Sequence, residues 1–481
     1  MSSPSADPSE AAVVQASRLR WSIYLLFIAV AVGQWSGRIL SVDRVDVMRL
    51  EQSRIEKRLE QFQNDLEARG LEADDVDQRM AREEQRLQER LRLQHPMLSS
   101  NDRSRWVAIR ALVEQHTFEI DELIQEPGWD TIDKVRHQGR DGQQHFYSSK
   151  PPLLYILLAG ETWAVERLTG WTFADNEYEI IRTVLLLSSP PVFALLLVLV
   201  AAIAERFCRT AWAALFTVIT AAYGTLLTAF AASLNNHLYG AASAAVALYC
   251  WVRIRETGSP RGGWFVLAGL ACGFAYATEL PSLAMAAAIA VSLLFHAPRN
   301  TLLAFCPAML VVVGAVVFTN WLAHDSLRPP YAHRSEENPE DNWYLYPGSH
   351  WENREGIDSG EPSRVTYALH TLVGHHGILS LTPVWALSIF GAGAWLVRSD
   401  GLRRELALGV IGLTIVVLVF YLGLRPQGDR NYGGMTSGLR WMFWFTPLWL
   451  AVMAPAADWA ARTRGRQALA AVLLAFSALS A

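Results

Sequence analysis

The segment 99–152 carries residue types that suit a reaction at a membrane surface, because it is polar and lies between one apolar segment and a series of others. Asp102 stands near its start, where a carboxylate could be the general base that deprotonates an acceptor hydroxyl. Lys150 stands near its end, before Pro151 and Pro152, where an ammonium could hold a phosphate leaving group. Structural explanations stay open for both: Asp102 could cap a helix, and Lys150 could extend from the lipid boundary into water.

Further polar residues stand where apolar runs end. Asn235, Asn236 and His237 lie between two apolar runs, and Glu279 lies at the next outer turn. Polar side chains at membrane depth are unfavourable unless they pair with each other or face a polar cavity. We therefore treat His237 and Glu279 as candidates that line a cavity, together with Tyr147, although hydrogen bonding within a hairpin or exposure to water explains these residues equally well.

A glycine-rich segment, 431–440, ends in Arg440 just before an apolar run. Its glycines Gly433, Gly434 and Gly438 allow the backbone to approach a ligand closely. The guanidinium of Arg440 could hold a phosphate with two hydrogen bonds. An arginine that extends toward lipid head groups is the alternative.

The segment 324–376 is acidic and rich in aromatic residues, a combination that suits a sugar with its C–H faces and hydroxyl rims. An aromatic belt at the membrane interface explains the aromatic residues nearly as well. His375 and His376 close the segment, but two adjacent histidines without a nearby third ligand are weak evidence for a metal. We keep His376 as a further candidate that lines the cavity. The aromatic residues are Tyr331, Trp343, Tyr344, Tyr346 and Trp351.

The composition indicates a polytopic membrane protein. Of 481 residues, 51% are hydrophobic, and they form runs long enough to cross a bilayer core of roughly 30 Å. The net charge of −4 and the absence of a basic tract give no indication of nucleic-acid binding. The four cysteines lie in or beside apolar runs, which predicts neither a disulfide framework nor a cysteine metal site.

The apolar runs predict an all-α fold of about eleven transmembrane helices. The segment 152–168 is apolar but charged, and its placement determines the topology of all later loops. If it lies on the membrane, the short arginine-rich loops all face the cytoplasm, as the positive-inside rule requires. The outer face then holds 42–177, 233–236, 324–376 and 425–439. The predicted spans lie near 21–40, 178–204, 210–232, 236–253, 264–279, 280–296, 301–323, 377–397, 405–424, 440–460 and 467–481.

The segment 43–94 predicts a helical, coiled-coil-like arm. Its apolar residues follow the 4-3-4 spacing of a coiled-coil seam, and Arg69-Gly70 interrupts them, which indicates a broken helix or a helical hairpin. Such an arm could be a solvated spacer or a self-association element. The predicted organisation is a cytoplasmic tail (1–20), a first span (21–41), the arm (42–97), a first outer loop (98–177), a transmembrane bundle (178–323), an outer loop (324–376) and C-terminal spans (377–481).

With these residues assembled, the chain resembles the GT-C superfamily of membrane glycosyltransferases. It is most similar to the branch of protein O-mannosyltransferases and lipid A aminoarabinose transferases. That branch has an acidic residue in the first outer loop, where Asp102 stands, and a Pro-Pro-Leu element on a juxtamembrane helix, where Lys150 precedes Pro151, Pro152 and Leu153. The stretch 433–440, and His376-Gly377 followed by Pro383, are similar to segments of uncharacterised bacterial relatives.

The resemblance implies transfer with inversion from a polyprenyl-phosphate sugar at the periplasmic face of a bacterial inner membrane. It implies neither a nucleotide nor a cofactor at the active site, and metal independence is a family expectation. Asp102 would be the catalytic base, and Lys150 and Arg440 would bind the donor phosphate. The acceptor is a protein, a lipid or a glycan. The family often pairs two acids at the loop start, whereas Asn101 and Arg103 flank Asp102 here, so the second acid is unassigned.

Two other classes of protein are alternatives. A transporter or flippase of lipid-linked saccharides would carry charged residues in mid-span and an internal repeat of its spans. No convincing repeat is present, and the polar clusters stand at the outer ends of the spans. A scaffold protein would explain the arm but not Asp102, Lys150 and Arg440 on the outer face.

Overall fold

The computed structural model describes residues 8–41, 44–68, 73–90, 97, 99–257, 261–334, 338–352, 354, 356–433 and 438–481. The chain divides into two compact units. The loop unit comprises Ser36–Lys150 and Tyr155–Leu187, and the helical unit comprises Met1–Trp35, Pro151–Leu154 and Ser188–Ala481.

Helices make up most of the described chain. In chain order they are α1 (Pro8–Ser41), α2 (Arg44–Ala68), α3 (Ala73–Arg90), α4 (Ser100–Arg110), α5 (Pro152–Thr169), α6 (Phe173–Phe207), α7 (Ala211–Tyr223), α8 (Asn236–Glu256), α9 (Gly262–Thr278), α10 (Leu283–His296), α11 (Pro298–Asn300), α12 (Cys306–His324), α13 (Arg364–Leu372), α14 (Ile378–Leu381), α15 (Trp385–Arg398), α16 (Gly401–Leu418), α17 (Thr446–Ala460) and α18 (Arg464–Ser480). The strands β1 (Lys134–Gln138) and β2 (Gln144–Ser148) form one antiparallel hairpin.

Several helices are long and apolar enough to cross a membrane, so the predicted all-helical polytopic class is confirmed. Within the described residues four segments meet this description, and α7 with the 3₁₀ helix Leu226–Ala232, bent by 49°, makes a fifth if the bent pair is one span. The helices Gly262–Thr278 and Leu280–His296 are apolar but shorter. The number of eleven spans stays a prediction. The four long segments are Gln15–Ser41, Phe173–Phe207, Pro298–His324 and Gly401–Leu424.

Glycines allow close packing within the helical unit. A Cβ atom on Gly269 of α9 would stand 2.2 Å from the carbonyl oxygen of Phe305, so a side chain there would separate the two segments. A Cβ atom on Gly391 of α15 would likewise stand 2.1 Å from the carbonyl oxygen of Val452 in α17. Small residues at helix contacts are the usual means of packing in membranes, where lipid gives no hydrophobic driving force between helices.

Two predicted spans begin later than the apolar runs suggested. The run from 377 contains the short α14 and then α15 from Trp385, and the run from 440 begins with the 3₁₀ helix Arg440–Phe445 before α17 starts at Thr446. Pro383 and Pro447 stand at these starts. Proline disfavours a helical residue before it, which explains the break at Thr382 before α15, where φ is −128°. Pro447 lies in the first turn of α17, a position that suits proline.

The predicted arm consists of two helices, α2 and α3, which contact each other. Along α2 the seam residues Ile55, Leu59, Phe62 and Leu66 are more protected than their neighbours, and Leu66 is buried. The predicted break at Arg69-Gly70 lies outside the described residues. Self-association through the arm stays a prediction.

Helix α5 covers the segment that decides the topology. It begins at Pro152 and ends at Thr169, which agrees with the helix expected at 152–168. Leu157, Trp163 and Leu168 are exposed on it, whereas Leu158 and Thr162 are buried. A helix with one apolar exposed face suits the plane of a membrane surface, and this position stays a prediction.

The hairpin β1–β2 was not expected from the sequence. Its turn carries Asp141 and Gly142, and Gly142 has a φ of +82°, which favours glycine. An Asp-Gly pair between two short strands is a recognised hairpin signal. The signal was therefore present, but the polar strands around it lack a regular alternation of apolar residues.

Candidate functional site

Asp102 lies in the first turn of α4 but does not cap it. The cap is Ser99, whose hydroxyl accepts a hydrogen bond from the Asp102 backbone N–H at 3.2 Å. Asp102 is only 1% exposed to solvent. A carboxylate in the first turn is favoured by the partial positive charge of the helix N-terminus. Capping of α4 therefore does not explain why the Asp102 carboxylate is buried.

Lys150 pairs with an acid that the sequence did not single out. Its Nζ lies 2.8 Å from Oδ1 of Asp133, and the other oxygen of that carboxylate accepts a hydrogen bond from Ser100 Oγ at 2.9 Å. The side chains of Lys150 and Asp133 are 12% and 16% exposed. Since Ser100 is the first residue of α4, the pair lies at the same helix end as Asp102.

Further hydrogen bonds hold this helix end against the hairpin. Ser104 Oγ donates to the backbone carbonyl of Asp133 at 2.6 Å and lies 2.8 Å from Ser148 Oγ. Ser148 Oγ in turn accepts from the backbone N–H of Lys150 at 3.2 Å. Asp133 is thus the acid that the structure adds to Asp102 and Lys150. No local pattern around Asp133 distinguishes it from the other acids of this loop, and only the folded hairpin reveals its contact.

Arg103, the cation next to Asp102 in the sequence, also lies in this region. Burial lowers the pKa of Arg103, while the charges of Asp130, Asp102 and Glu177 act in the opposite direction. One guanidinium nitrogen of Arg103 donates to the backbone carbonyl of Asp130 at 2.6 Å. The helix end therefore combines the buried carboxylate of Asp102 with partly exposed charged groups of both signs, which is an environment in which proton affinities can be tuned.

Tyr147 is directed away from this helix end. Its ring stacks on His137 at 4.1 Å with an interplanar angle of 7°, and burial raises the pKa of its hydroxyl. Successive side chains of a strand point to opposite faces, and the next residue, Ser148, faces α4. The structure therefore does not bring Tyr147 together with Asp102 and Lys150.

In the helical unit, His237 and Glu279 contact each other directly. His237 Nδ1 and Asn236 Nδ2 both lie within hydrogen-bond distance of Oε1 of Glu279, and Asn236 Nδ2 also donates to the carbonyl of Thr278 at 2.9 Å. Both members of the His237–Glu279 pair are buried. Gly240 makes room for the acid, because a Cβ atom there would stand 2.7 Å from Glu279 Cγ.

Arg440 begins the 3₁₀ helix that packs near this pair. Phe443, three residues later, has its ring 5.9 Å from that of His237. Gly433 has a φ of +88°, and a Cβ atom on it would stand 3.1 Å from Nε of Arg440, so the guanidinium stem lies against glycine backbone. The rest of the glycine-rich segment, 434–437, lies outside the described residues.

His376 belongs to a stack of rings, and its place in the lining of a cavity stays a prediction. It stacks on Tyr432 at 4.9 Å, and His370 stacks on His375 at 4.2 Å. Tyr367 holds the neighbouring segment through a hydrogen bond from its hydroxyl to the carbonyl of Asn431 at 2.9 Å.

The aromatic residues of the segment 324–376 are largely engaged in internal contacts. Arg334 lies over the rings of Tyr344 and Trp351, at 5.2 and 4.7 Å. His333 stacks on Trp343 at 3.4 Å. Arg334 therefore already covers two of the aromatic rings that were predicted to bind a sugar. Sugar binding by these aromatic residues stays an untested prediction.

The helical unit also contains an apolar groove with a volume of about 380 Å³. It lies between α15, α16 and α17 and includes Trp385, Ile389, Val410, Leu418 and Trp449. Its lining is almost wholly apolar, which suits a hydrocarbon chain better than a soluble ligand.

A family comparison covers part of the helical segments. Residues 181–324 match the family described as dolichyl-phosphate-mannose-protein mannosyltransferase. No curated protein matches the chain. The family match confirms the predicted relation to GT-C glycosyltransferases, the class to which the sequence motifs pointed.

Solved structures give weaker likenesses. ArnT from Cupriavidus metallidurans in the apo state has 16% identity over 78% of this chain and 57% of its own, with a TM-score of 0.45. The same protein bound to undecaprenyl phosphate has 17% identity over 79% and 59%, with a TM-score of 0.43. The apo oligosaccharyltransferase of Archaeoglobus fulgidus has 13% identity over 79% and 52%, with a TM-score of 0.44. The chain thus spans less than two thirds of each of these proteins.

Proposed function

We propose that this chain, whose residues 181–324 match the dolichyl-phosphate-mannose-protein mannosyltransferase family, is a membrane glycosyltransferase. It moves a sugar from a polyprenyl-phosphate donor to a hydroxyl of an acceptor. The reaction takes place at the periplasmic face of a bacterial inner membrane. The observation that carries the proposal is the buried Asp102 at the same helix end as the Lys150–Asp133 pair.

In the proposed reaction Asp102 takes the proton of the acceptor hydroxyl as its oxygen attacks the anomeric carbon of the sugar. The bond between that carbon and the phosphate oxygen breaks, and polyprenyl phosphate leaves. A single displacement inverts the configuration at the anomeric carbon. Buried placement suits a base, because excluded water strengthens its interaction with the reacting proton.

Lys150 is proposed to stabilise the negative charge that develops on the leaving phosphate. Its contact with Asp133 holds the ammonium in place before the donor binds. Asp133 is the proposed second acid, which the sequence left unassigned. Arg440 is proposed as another phosphate-binding cation, and Glu279 with His237 as the polar pair that lines a cavity in the helical unit.

The apolar groove of the helical unit supports a lipid donor. Hydrocarbon burial contributes about 0.8 kcal/mol per methylene group, so a polyprenyl chain can bind strongly to an apolar groove. The groove volume of about 380 Å³ accommodates part of such a chain.

The proposal is tested with purified protein in detergent and a radiolabelled polyprenyl-phosphate sugar. Release of polyprenyl phosphate, or transfer of label to an acceptor, supports an enzyme, whereas a flippase has no membrane to act across and yields no product. Asp102→Asn should lower the transfer rate by about 10²–10⁴-fold. Asp130→Asn is the matched control, because Asp130 is an exposed acid of the same loop. Full activity of a folded Asp102→Asn protein would remove Asp102 from the mechanism.

A further inference from the structure

We propose that Glu119, Asp121 and His145 form a binding site for a divalent transition-metal ion in the loop unit. One potential ligand atom from each lies within 4.8 Å of the other two. His145 Nδ1 is 3.2 Å from Asp121 Oδ2 and 3.7 Å from Glu119 Oε2. Ligand atoms bound to one ion at about 2.0–2.2 Å lie at separations of this size. Within the described residues no other group of three such side chains converges in this way.

The backbone holds these side chains together without an ion. Glu119 forms an isolated antiparallel bridge with Tyr147, and the Ile120 N–H donates to the Phe146 carbonyl at 2.9 Å. The Asp121 carboxylate accepts from the Phe146 N–H at 3.2 Å. The segment 119–121 is therefore paired to the edge of β2, which carries His145, so the three ligands have a defined spacing.

A third carboxylate, that of Asp141, orients the imidazole. Nε2 of His145 lies 3.0 Å from Asp141 Oδ2, so Nδ1 of the neutral ring can face Asp121 and Glu119 as an acceptor while Nε2–H donates to Asp141. Metal-bound histidines usually donate their other ring N–H to a carboxylate or carbonyl, which sets the tautomer.

Charge gives a further reason for a cation. Three carboxylates surround one imidazole, so even a charged imidazolium neutralises only one of them. A divalent ion would balance the two carboxylates that coordinate it. One nitrogen and two oxygen ligands suit Zn²⁺ or a related first-row ion better than Ca²⁺, which prefers oxygen ligands alone. The side chains are partly exposed, which leaves access for the ion and a coordination position for water.

The proposed metal site is separate from Asp102 and Lys150. His145 and Tyr147 share one face of β2, and Ser148, which contacts α4, lies on the other. The ion would therefore cross-link the segment 119–121 to the hairpin, and its binding can fail or succeed independently of glycosyl transfer.

The test is metal binding to the full-length protein in detergent after removal of metals with EDTA. Zn²⁺ is titrated by calorimetry, and thermal stability is recorded with and without the ion. We expect one equivalent of Zn²⁺ to bind through this site and to raise the melting temperature, because an ion that binds only the folded state stabilises it. Glu119→Gln and His145→Gln, tested separately, should each weaken this binding at least about a hundredfold, and Asp141→Asn should weaken it about tenfold.

His116→Asn is the matched control. His116 lies in the same loop outside the cluster and has a φ of 55°, a conformation that asparagine tolerates. It should bind Zn²⁺ as the unaltered protein does. Absence of saturable binding, or equal affinity in Glu119→Gln, His145→Gln and the unaltered protein, would overturn the proposed site.

Discussion

Each unit of the protein pairs an acid with a base, but the two pairs differ in how they are held. In the loop unit, Lys150 and Asp133 are partly exposed and lie among hydroxyl groups and backbone groups of α4 and the hairpin. In the helical unit, His237 and Glu279 are about 5% exposed and lie among aromatic rings. The Lys150–Asp133 pair lies next to hydroxyl and backbone groups that can form other hydrogen bonds. The His237–Glu279 pair is buried next to aromatic rings, which offer it no such replacement.

This difference predicts different roles. A partly exposed ion pair contributes little to stability and can yield a cation to an incoming phosphate. A buried pair contributes to structural specificity and is damaging to break, because the remaining partner cannot be solvated. The loop pair should therefore dominate in activity, and the helical pair in stability.

The largest stability effect is expected for Glu279→Ala. The change removes the buried acceptor that His237 and Asn236 share, and should lower the free energy of unfolding by about 3 kcal/mol. Thermal unfolding in detergent measures it. Glu256→Gln, which alters a partly exposed contact with Arg206, is the control and should cost less than about 1 kcal/mol. Equal effects in the two variants would end the contrast between buried and exposed pairs.

The loop pair should show its largest effect in catalysis. Lys150→Met should reduce transfer at low donor concentration by about 10–100-fold, whereas Asp133→Asn, which leaves the ammonium in place, should reduce it less. Rates measured over a range of donor concentrations distinguish the two variants. If both variants lose activity equally, and in proportion to a common loss of stability, then the pair is structural only.

An acid with no observed partner sharpens the comparison. Oε1 of Glu161 in α5 is buried and has no hydrogen-bond partner within the described part of the chain, and burial raises the pKa of this side chain to about 7. The folded state thus favours the protonated acid, and stability is lost as pH rises from about 4.5 through 7. Glu161→Gln should raise the free energy of unfolding by about 1 kcal/mol at pH 8, after allowance for partial exposure, and by nothing near pH 4.5.

The free energy of unfolding is measured for Glu161→Gln and for the unaltered protein across this pH range. The values near pH 4.5 serve as the control for those at pH 8. A stabilisation that is the same at both ends of the range would contradict the assignment to ionisation.

The smallest expected effect concerns a third acid–base pair, His333 and Asp341. Burial lowers the pKa of His333 from its usual 6.5, and the hydrogen bonds from His333 and Arg328 lower the pKa of Asp341. Below pH 6.5 the unfolded chain therefore binds a proton on this imidazole more readily than the folded one, so stability falls on acidification, by less than about 1 kcal/mol. His333→Phe keeps a ring to stack on Trp343 and should reduce the loss between pH 7.5 and 5.5, as thermal unfolding reports.

Much of the fold followed from local patterns. The spacing of apolar residues along 43–94 predicted the arm, and the seam residues are the protected ones in α2. The long apolar runs predicted the helical membrane class, since a bilayer admits few other structures. The hairpin was missed because its strands are polar, and the start of α15 follows a proline whose effect an apolar average does not register.

Local sequence patterns predicted the candidate site only in part. The sequence by itself determined which residue types stand at the membrane boundary, because composition and spacing act locally along the chain. It singled out Asp102 and Lys150 as candidates for the chemistry, and His237 and Glu279 as candidates that line a cavity. Tertiary structure alone decided which partners they have, such as Asp133 for Lys150 across 17 residues and Glu279 for His237 across 42. Contacts between distant positions depend on how helices and strands pack, and no local pattern encodes that geometry.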